Sequence, residues 1–239
     1  MNLAIKIERT VALLREAERD FAPAAFSTSL GVEDQVLTDL VARHAPGIAL
    51  FFLDTGRLPP ETYELLARTE MRYKRRIALH FPESTQVEQY VRCNGVNGFF
   101  ESVTQRKACC EVRKSAPLKR ALAAKRAWIT GMRREQSVTR AALAETEFDA
   151  GHGLQKFNPL AAWTLDEVWA YAREHAVPYN ALHDRGYPSI GCAPCTRAAL
   201  PDEDLRAGRW WWESADSKEC GLHVAPAGPQ RAHPEPAIA

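Results

Sequence analysis

Ala24-Ala25-Phe26-Ser27-Thr28-Ser29-Leu30-Gly31-Val32-Glu33-Asp34-Gln35-Val36-Leu37 is the stretch on which the fold turns. Its apolar start reads as a short buried strand, and from Glu33 it reads as a helix with acids in the first turn. Between them lies a loop of small residues, whose hydroxyls and backbone N–H groups suit an anion at a helix start. The competing reading is an ordinary strand-to-helix turn with Ser29 as the cap. Strand, loop and helix in that order are one half of a crossover unit, so the question is whether the unit repeats.

It does. Upstream, residues 3–19 carry Ile7, Val11 and Leu14 at helical spacing between charges, an amphipathic helix. Downstream, Ile48-Ala49-Leu50-Phe51-Phe52-Leu53 is a continuous apolar run, as in a strand buried on both faces. It ends in Asp54-Thr55-Gly56, and Pro59-Pro60-Glu61 then begins a helix through about Tyr73. Ile77–Phe81 is a third candidate strand and 85–93 the next helix, with Cys93 among its apolar, core-facing positions. Residues 109–125 read as a further helix and Ala127–Gly131 as a fourth strand. Thr164 with Glu167 three residues on is a capping box opening another helix. This alternation predicts an α/β fold, one domain with a mostly parallel sheet flanked by helices, whose ligands bind at the carboxyl ends of the strands. The loops at Ser27–Gly31 and Asp54–Gly56 sit at such ends. Gly131, closing the fourth strand, permits close backbone approach to a ligand. The arginine-rich run Met132–Arg140, including Arg133, has the character of a phosphate or sulfate grip.

Four of the six cysteines form two pairs, Cys109-Cys110 and Cys192-Ala193-Pro194-Cys195. Together they supply the four thiolates of a tetrahedral zinc or of a [4Fe–4S] cluster. Adjacent cysteines are unusual for zinc, whose ligand pairs normally keep residues between them, so the iron–sulfur reading leads. A cluster with four thiolates is anionic, and Lys107, Arg113 and Lys114 are candidate cations beside it. Residues 178–190 have no regular period and deliver the second pair; His183 within them is expected to hydrogen-bond locally. Arg206 and Arg209 lie three apart, a spacing that would share a helical face, and Trp210–Trp212 read as packing. Cys220, between Lys218 and His223, reads as a nucleophile or redox thiol whose neighbours lower its pKa. From Pro226 the Ala- and Pro-rich end reads as a disordered tail.

The composition excludes several classes. The 239 residues are 46% hydrophobic and 26% charged, with a formal net charge of +1, which is ordinary for a globular protein and argues against general nucleic-acid binding. No apolar run is long enough to span a membrane, and the N-terminus lacks the apolar core of a signal peptide. The cytoplasm is the expected compartment, where paired cysteines point to metal or catalysis.

The loop at 27–35 resembles that of the ATP pyrophosphatase-like (adenine nucleotide alpha hydrolase-like) fold, S-G-G-x-D-S. Here Leu30 stands where that pattern has glycine, and Glu33-Asp34 where it has Asp-Ser. The departure speaks against pyrophosphate cleavage and leaves nucleotide binding. The wider set of motifs is more specific. It comprises residues 27–35, Leu53–Leu58, Lys107–Lys114, Ile129–Ser137, Gly191–Arg197, Arg206–Trp212 and Glu219–His223. By these the chain resembles the assimilatory adenylyl-sulfate reductases of the iron–sulfur type. The resemblance implies a [4Fe–4S] cluster on Cys109, Cys110, Cys192 and Cys195, and Cys220 as nucleophile. Lys114, Arg206, Arg209 and His223 would surround the phosphosulfate, and Ser27, Ser29, Gly31, Leu53 and Gly131 the adenosine. It further implies thiolate attack on the sulfonyl sulfur, an S-sulfocysteine, and release of sulfite by thioredoxin or a glutaredoxin-like reductant, in sulfate assimilation toward cysteine. A domain at 1–212 would hold nucleotide and cluster, and a mobile segment at 213–239 would carry the catalytic cysteine. A homo-oligomer is admissible. The rival readings are 3′-phosphoadenylyl sulfate as substrate, a zinc-stabilised ATP-using enzyme, and an iron–sulfur redox sensor.

Overall fold

The computed structural model describes residues 2–137 and 140–214. Cys220, His223, Lys218, Val138, Thr139 and the segment from 215 onward, including the expected Ala- and Pro-rich tail, lie outside the described residues. The element order is α1 (Leu3–Asp20), β1 (Ala24–Thr28), α2 (Val32–His44), β2 (Ala49–Leu53), α3 (Pro60–Tyr73), β3 (Ala78–His80) and α4 (Ser84–Asn94). It continues with α5 (Val103–Cys110), a π-helical turn (Glu111–Ser115), α6 (Ala116–Leu122), β4 (Ala127–Ile129), β5 (Thr146–Asp149), β6 (Leu154–Phe157) and α7 (Leu165–Glu174).

The strands form one six-stranded sheet in the order β3-β2-β1-β4-β6-β5. All pairs are parallel except β5 with β6, an antiparallel edge pair. The sheet is sealed on both faces because successive side chains alternate across it. Phe26, Leu50, Phe52, Ile129 and Phe157 point to a large core shared with residues of α1, α2, α3 and α7. Ala25, Phe51, Trp128 and Leu154 point the other way, against Leu118, Ala121 and Leu122 of α6. This is why β2 reads as an unbroken apolar run: both of its faces are covered.

Chain direction from β1 turns to opposite sides, toward β2 and β3 on one hand and β4 on the other. A crevice opens at the carboxyl ends where the order reverses, the usual seat of ligands in open parallel sheets. Three local expectations are corrected. The cysteine pair Cys109-Cys110 ends α5 rather than starting a helix, and a π-helical turn follows it. Cys93 is exposed on α4 instead of packing in the core. Residues 201–212 are turns, so Arg206 and Arg209 share no helical face; Arg209 instead bridges to Thr196 in an antiparallel contact.

Candidate active site

A cavity of about 240 Å³ occupies the crevice. Ser27, Ser29, Gly31 and Leu53 line it from the ends of β1 and β2, and Gly131 and Arg133 from the loop after β4. Lys114, Arg206 and Arg209 line it from the π-helical turn and the C-terminal turns. Nine of the ten residues expected at the substrate are thus brought to one cavity; the tenth, His223, lies outside the described residues.

The loop after β1 is already hydrogen-bonded to itself. Ser29 donates from its N–H (2.6 Å) and its hydroxyl (2.5 Å) to Asp34 Oδ2. The Leu30 N–H donates to Thr28 Oγ1 and the Gly31 N–H to Ser29 Oγ. Gly31, not Ser29, is the N-cap of α2. Leu30 takes the left-handed conformation (φ 61°) while its side chain is buried, so the turn seats a bulky residue where glycine is easiest. Ser27 is fixed from behind, because the Trp128 indole donates to its hydroxyl at 2.7 Å. Asp34 also accepts from the Gly131 backbone. A Cβ at 131 would lie 2.0 Å from Asp34 Oδ1, so the close approach expected at this glycine is toward Asp34. Burial pushes the Asp34 carboxyl up to about 6, against the lowering effect of the Ser29 hydrogen bonds.

Arg133 is buried and engaged by the chain's own acids, Glu33 at 3.0 Å and Glu135 at 2.9 Å. Gln136 also donates to Glu33. His183 lines the cavity too; one ring nitrogen meets the Tyr187 backbone, and burial holds its pKa below the usual imidazole value. Its Nε2 is buried without a hydrogen-bond partner among the described residues.

Beside the cavity, Cys109, Cys110, Cys192 and Cys195 are buried free thiols in one cluster with Tyr90, Phe99 and Trp210. The π-helical turn carries Arg113 and Lys114 directly after the first pair. The loop after β2 holds the second pair: Thr55 Oγ1 lies 3.2 Å from Cys192 Sγ, and the Ala193 N–H donates to the Arg57 carbonyl. Arg113 in turn donates to the Thr55 carbonyl at 2.6 Å. Asp54-Thr55-Gly56 therefore supports the cysteine loop as well as the cavity. Burial raises the Cys109 thiol, opposed by Arg113. Burial and neighbouring Cys192 push Cys195 up to about 12, opposed by Lys114 and Arg209. The cavity's cations thus face the thiol pocket.

Two groups escaped the sequence reading. Arg106, rather than the exposed Lys107, is a fully buried cation at the thiols. It reaches Cys110, pairs bidentately with Glu213 (2.9 and 2.7 Å) and stacks on Trp210. Asp34 was the other, because a helix-start acid gives no signal that it turns back into the preceding loop.

Among the described residues, no group of three or more His, Cys, Asp or Glu side chains is placed to hold a single metal ion. The donor set nevertheless fits a larger anionic centre. Four thiols converge, and the N–H groups of Arg209 Nε and Trp210 Nε1 are buried around them without acceptors among the described residues. Buried donors of that kind are rare unless something accepts from them.

Comparison with known proteins agrees with this architecture. Residues 23–198 match the phosphoadenosine phosphosulfate reductase domain. The chain is 54% identical to an adenosine 5′-phosphosulfate reductase of Allochromatium vinosum, over 95% of this chain and 89% of that one. It is 51% identical to that of Burkholderia cepacia, over 98% and 94%. Among solved structures, a phosphoadenylyl-sulfate reductase from Candida auris in a phosphate complex superposes with a TM-score of 0.69 at 29% identity, covering 79% of this chain and 90% of the other. On these matches the chain belongs to the phosphoadenosine phosphosulfate reductase family and groups with the adenosine 5′-phosphosulfate reductases.

Proposed function

We propose that this chain reduces adenylyl sulfate to sulfite and AMP, in the cytoplasm, on the assimilatory route from sulfate to cysteine. The observation that carries the reading is the single cavity lined by the serine–glycine loops and by Lys114, Arg206 and Arg209, set against four buried thiols. In it, adenosine lies along Ser27, Ser29, Gly31, Leu53 and Gly131. The phosphosulfate lies toward Lys114, Arg206 and Arg209, with His223 joining from outside the described residues. Those cations offset charge on the phosphate leaving group and the sulfonyl oxygens.

The Cys220 thiolate attacks the sulfonate sulfur, the S–O bond to phosphate breaks, and AMP leaves with the bonding electrons. A dithiol reductant of the thioredoxin or glutaredoxin class then attacks the Cys220 sulfur. Sulfite departs as a mixed disulfide forms, and the reductant's second thiol releases the Cys220 thiolate. Cys109, Cys110, Cys192 and Cys195 would hold a [4Fe–4S] cluster, which supplies local electrostatics and ties distant segments together. A cluster offers separate iron corners, which suits the adjacent Cys109-Cys110 pair. Arg106, Arg113 and Lys114 balance the negative charge there.

Incubation with adenylyl sulfate and no reductant should leave one sulfonate on Cys220, located by peptide mass mapping and released as sulfite by thioredoxin. Cys220→Ser should still bind AMP and form no adduct. A label on exposed Cys93, or turnover by Cys220→Ser, would show the reading to be wrong.

A further inference from the structure

A phosphate needs donors, and the loop after β1 has spent its own. The N–H groups of Ser29, Leu30 and Gly31 donate to Asp34, Thr28 Oγ1 and Ser29 Oγ respectively. The acceptor at the centre is a carboxylate of this chain. We propose that Asp34 permanently fills the anion seat of this loop and makes the nucleoside end of the cavity reject a second phosphate on the ribose. The proposal rests on the reading that adenosine lies along this loop.

Three observations support it. Asp34 is only 7% exposed yet lines the cavity, and its hydrogen-bond partners, Ser29 and Gly131, are neutral. Its charge is therefore spread over N–H and O–H dipoles and is not cancelled by a cation. Accepting from these donors as a carboxylate, it leaves that wall negative. Second, the adjacent cations are already engaged. Arg133 pairs with Glu33 and Glu135, and Arg140 donates to Gln136. Third, Asp34 is wedged between the two loops that form this end, with Oδ1 where a Cβ of residue 131 would stand. It cannot swing aside without releasing both. An incoming phosphate dianion would meet a like charge at a loop whose three N–H groups already donate within the chain. Repulsion of the wrong ligand, rather than extra grip on the right one, then sets the preference.

The probes are AMP and adenosine 3′,5′-bisphosphate, titrated by calorimetry into the full-length protein. Wild type should bind AMP at least tenfold more tightly than the bisphosphate. Asp34→Asn removes the charge at nearly constant shape. It should shrink that preference by at least tenfold, mainly through tighter binding of the bisphosphate. Asp34→Ser, which also removes the charge and keeps a short hydroxyl, is the second variant if the amide weakens folding. A brace without a role in selection would lower both affinities together and leave their ratio unchanged, which would overturn the proposal alone. So would a wild type that binds both nucleotides equally. Wild type binding neither nucleotide would instead overturn the placement of adenosine, and the proposal with it.

Discussion

Asp34 and Arg106 show what a single buried charge costs and how the chain meets that cost. Burial pushes the folded Asp34 carboxyl up to about 6, against an ordinary value of 3.8. Between those values the folded state binds more protons than the unfolded one, so this group adds stability as pH falls and withdraws it as pH rises through 6. The gap corresponds to about 3 kcal/mol. Denaturant unfolding of wild type and Asp34→Asn across that interval should show the wild type gaining relative to the variant on acidification; parallel curves would refute the linkage. Arg106 solves the opposite problem. Its guanidinium is fully buried against a Glu213 carboxylate that is itself 3% exposed. Arg106→Met should cost about 3–5 kcal/mol, because it strands that carboxylate. Arg106→Met/Glu213→Gln should recover much of the loss in the same urea titration.

Elements in this chain are placed by end signals more than by propensity. In α7, Thr164 Oγ1 accepts from the Glu167 N–H, while Glu167 accepts from the Thr164 N–H at 2.7 Å. Glu167 also holds Lys6 of α1 at 2.6 Å. Thr164→Ala should therefore cost about 1 kcal/mol, as typical for a lost cap. Glu167→Ala should cost more, since it breaks the cap and the tie to α1; equal effects by chemical denaturation would mean that the tie is inert. This capping box was legible because its spacing alone defines it. So was β2, whose apolar run announces burial on both faces. The edge pair β5–β6 was not: Thr146–Asp149 is half-exposed and has no strand period to read. The π-helical turn after Cys110 was hidden for another reason. Its residues are ordinary helix formers, and only tertiary placement of the thiols and of Lys114 distinguishes it from the α-helix on either side. The four cysteines could be picked out from their pairing in the sequence, whereas most of the nine cavity residues were named through the family resemblance. That Asp34 closes the loop and Arg106 backs the thiols depends on side chains turning toward groups distant in sequence, which spacing does not encode.

At the scale of the whole molecule, the thiol pocket is a satellite of the main core and not part of it. The large core packs both ends of the chain's order, α1 with α7, around β1, β2, β4 and β6. The four cysteines gather a separate group, Tyr90, Phe99 and Trp210, and among the described residues Leu58 alone packs against both. Stability is not uniform in such an arrangement, and the satellite can open below the global unfolding energy. Its two halves meet through the Arg106–Glu213 pair, the stacking of Arg106 on Trp210 and the contacts of Phe99 and Phe100 with Trp212. A centre bound to all four thiols would add the strongest of these ties. Cys110→Ser should therefore lose iron and inorganic sulfide together. Amide exchange should then accelerate in residues 98–113 and 189–212, while β1, β2 and β4 keep their protection. Chelation of the wild-type protein should reproduce the same map. If the variant keeps its iron, or if exchange rises evenly across the sheet, the pocket is no separate unit and the four thiols do not hold it together.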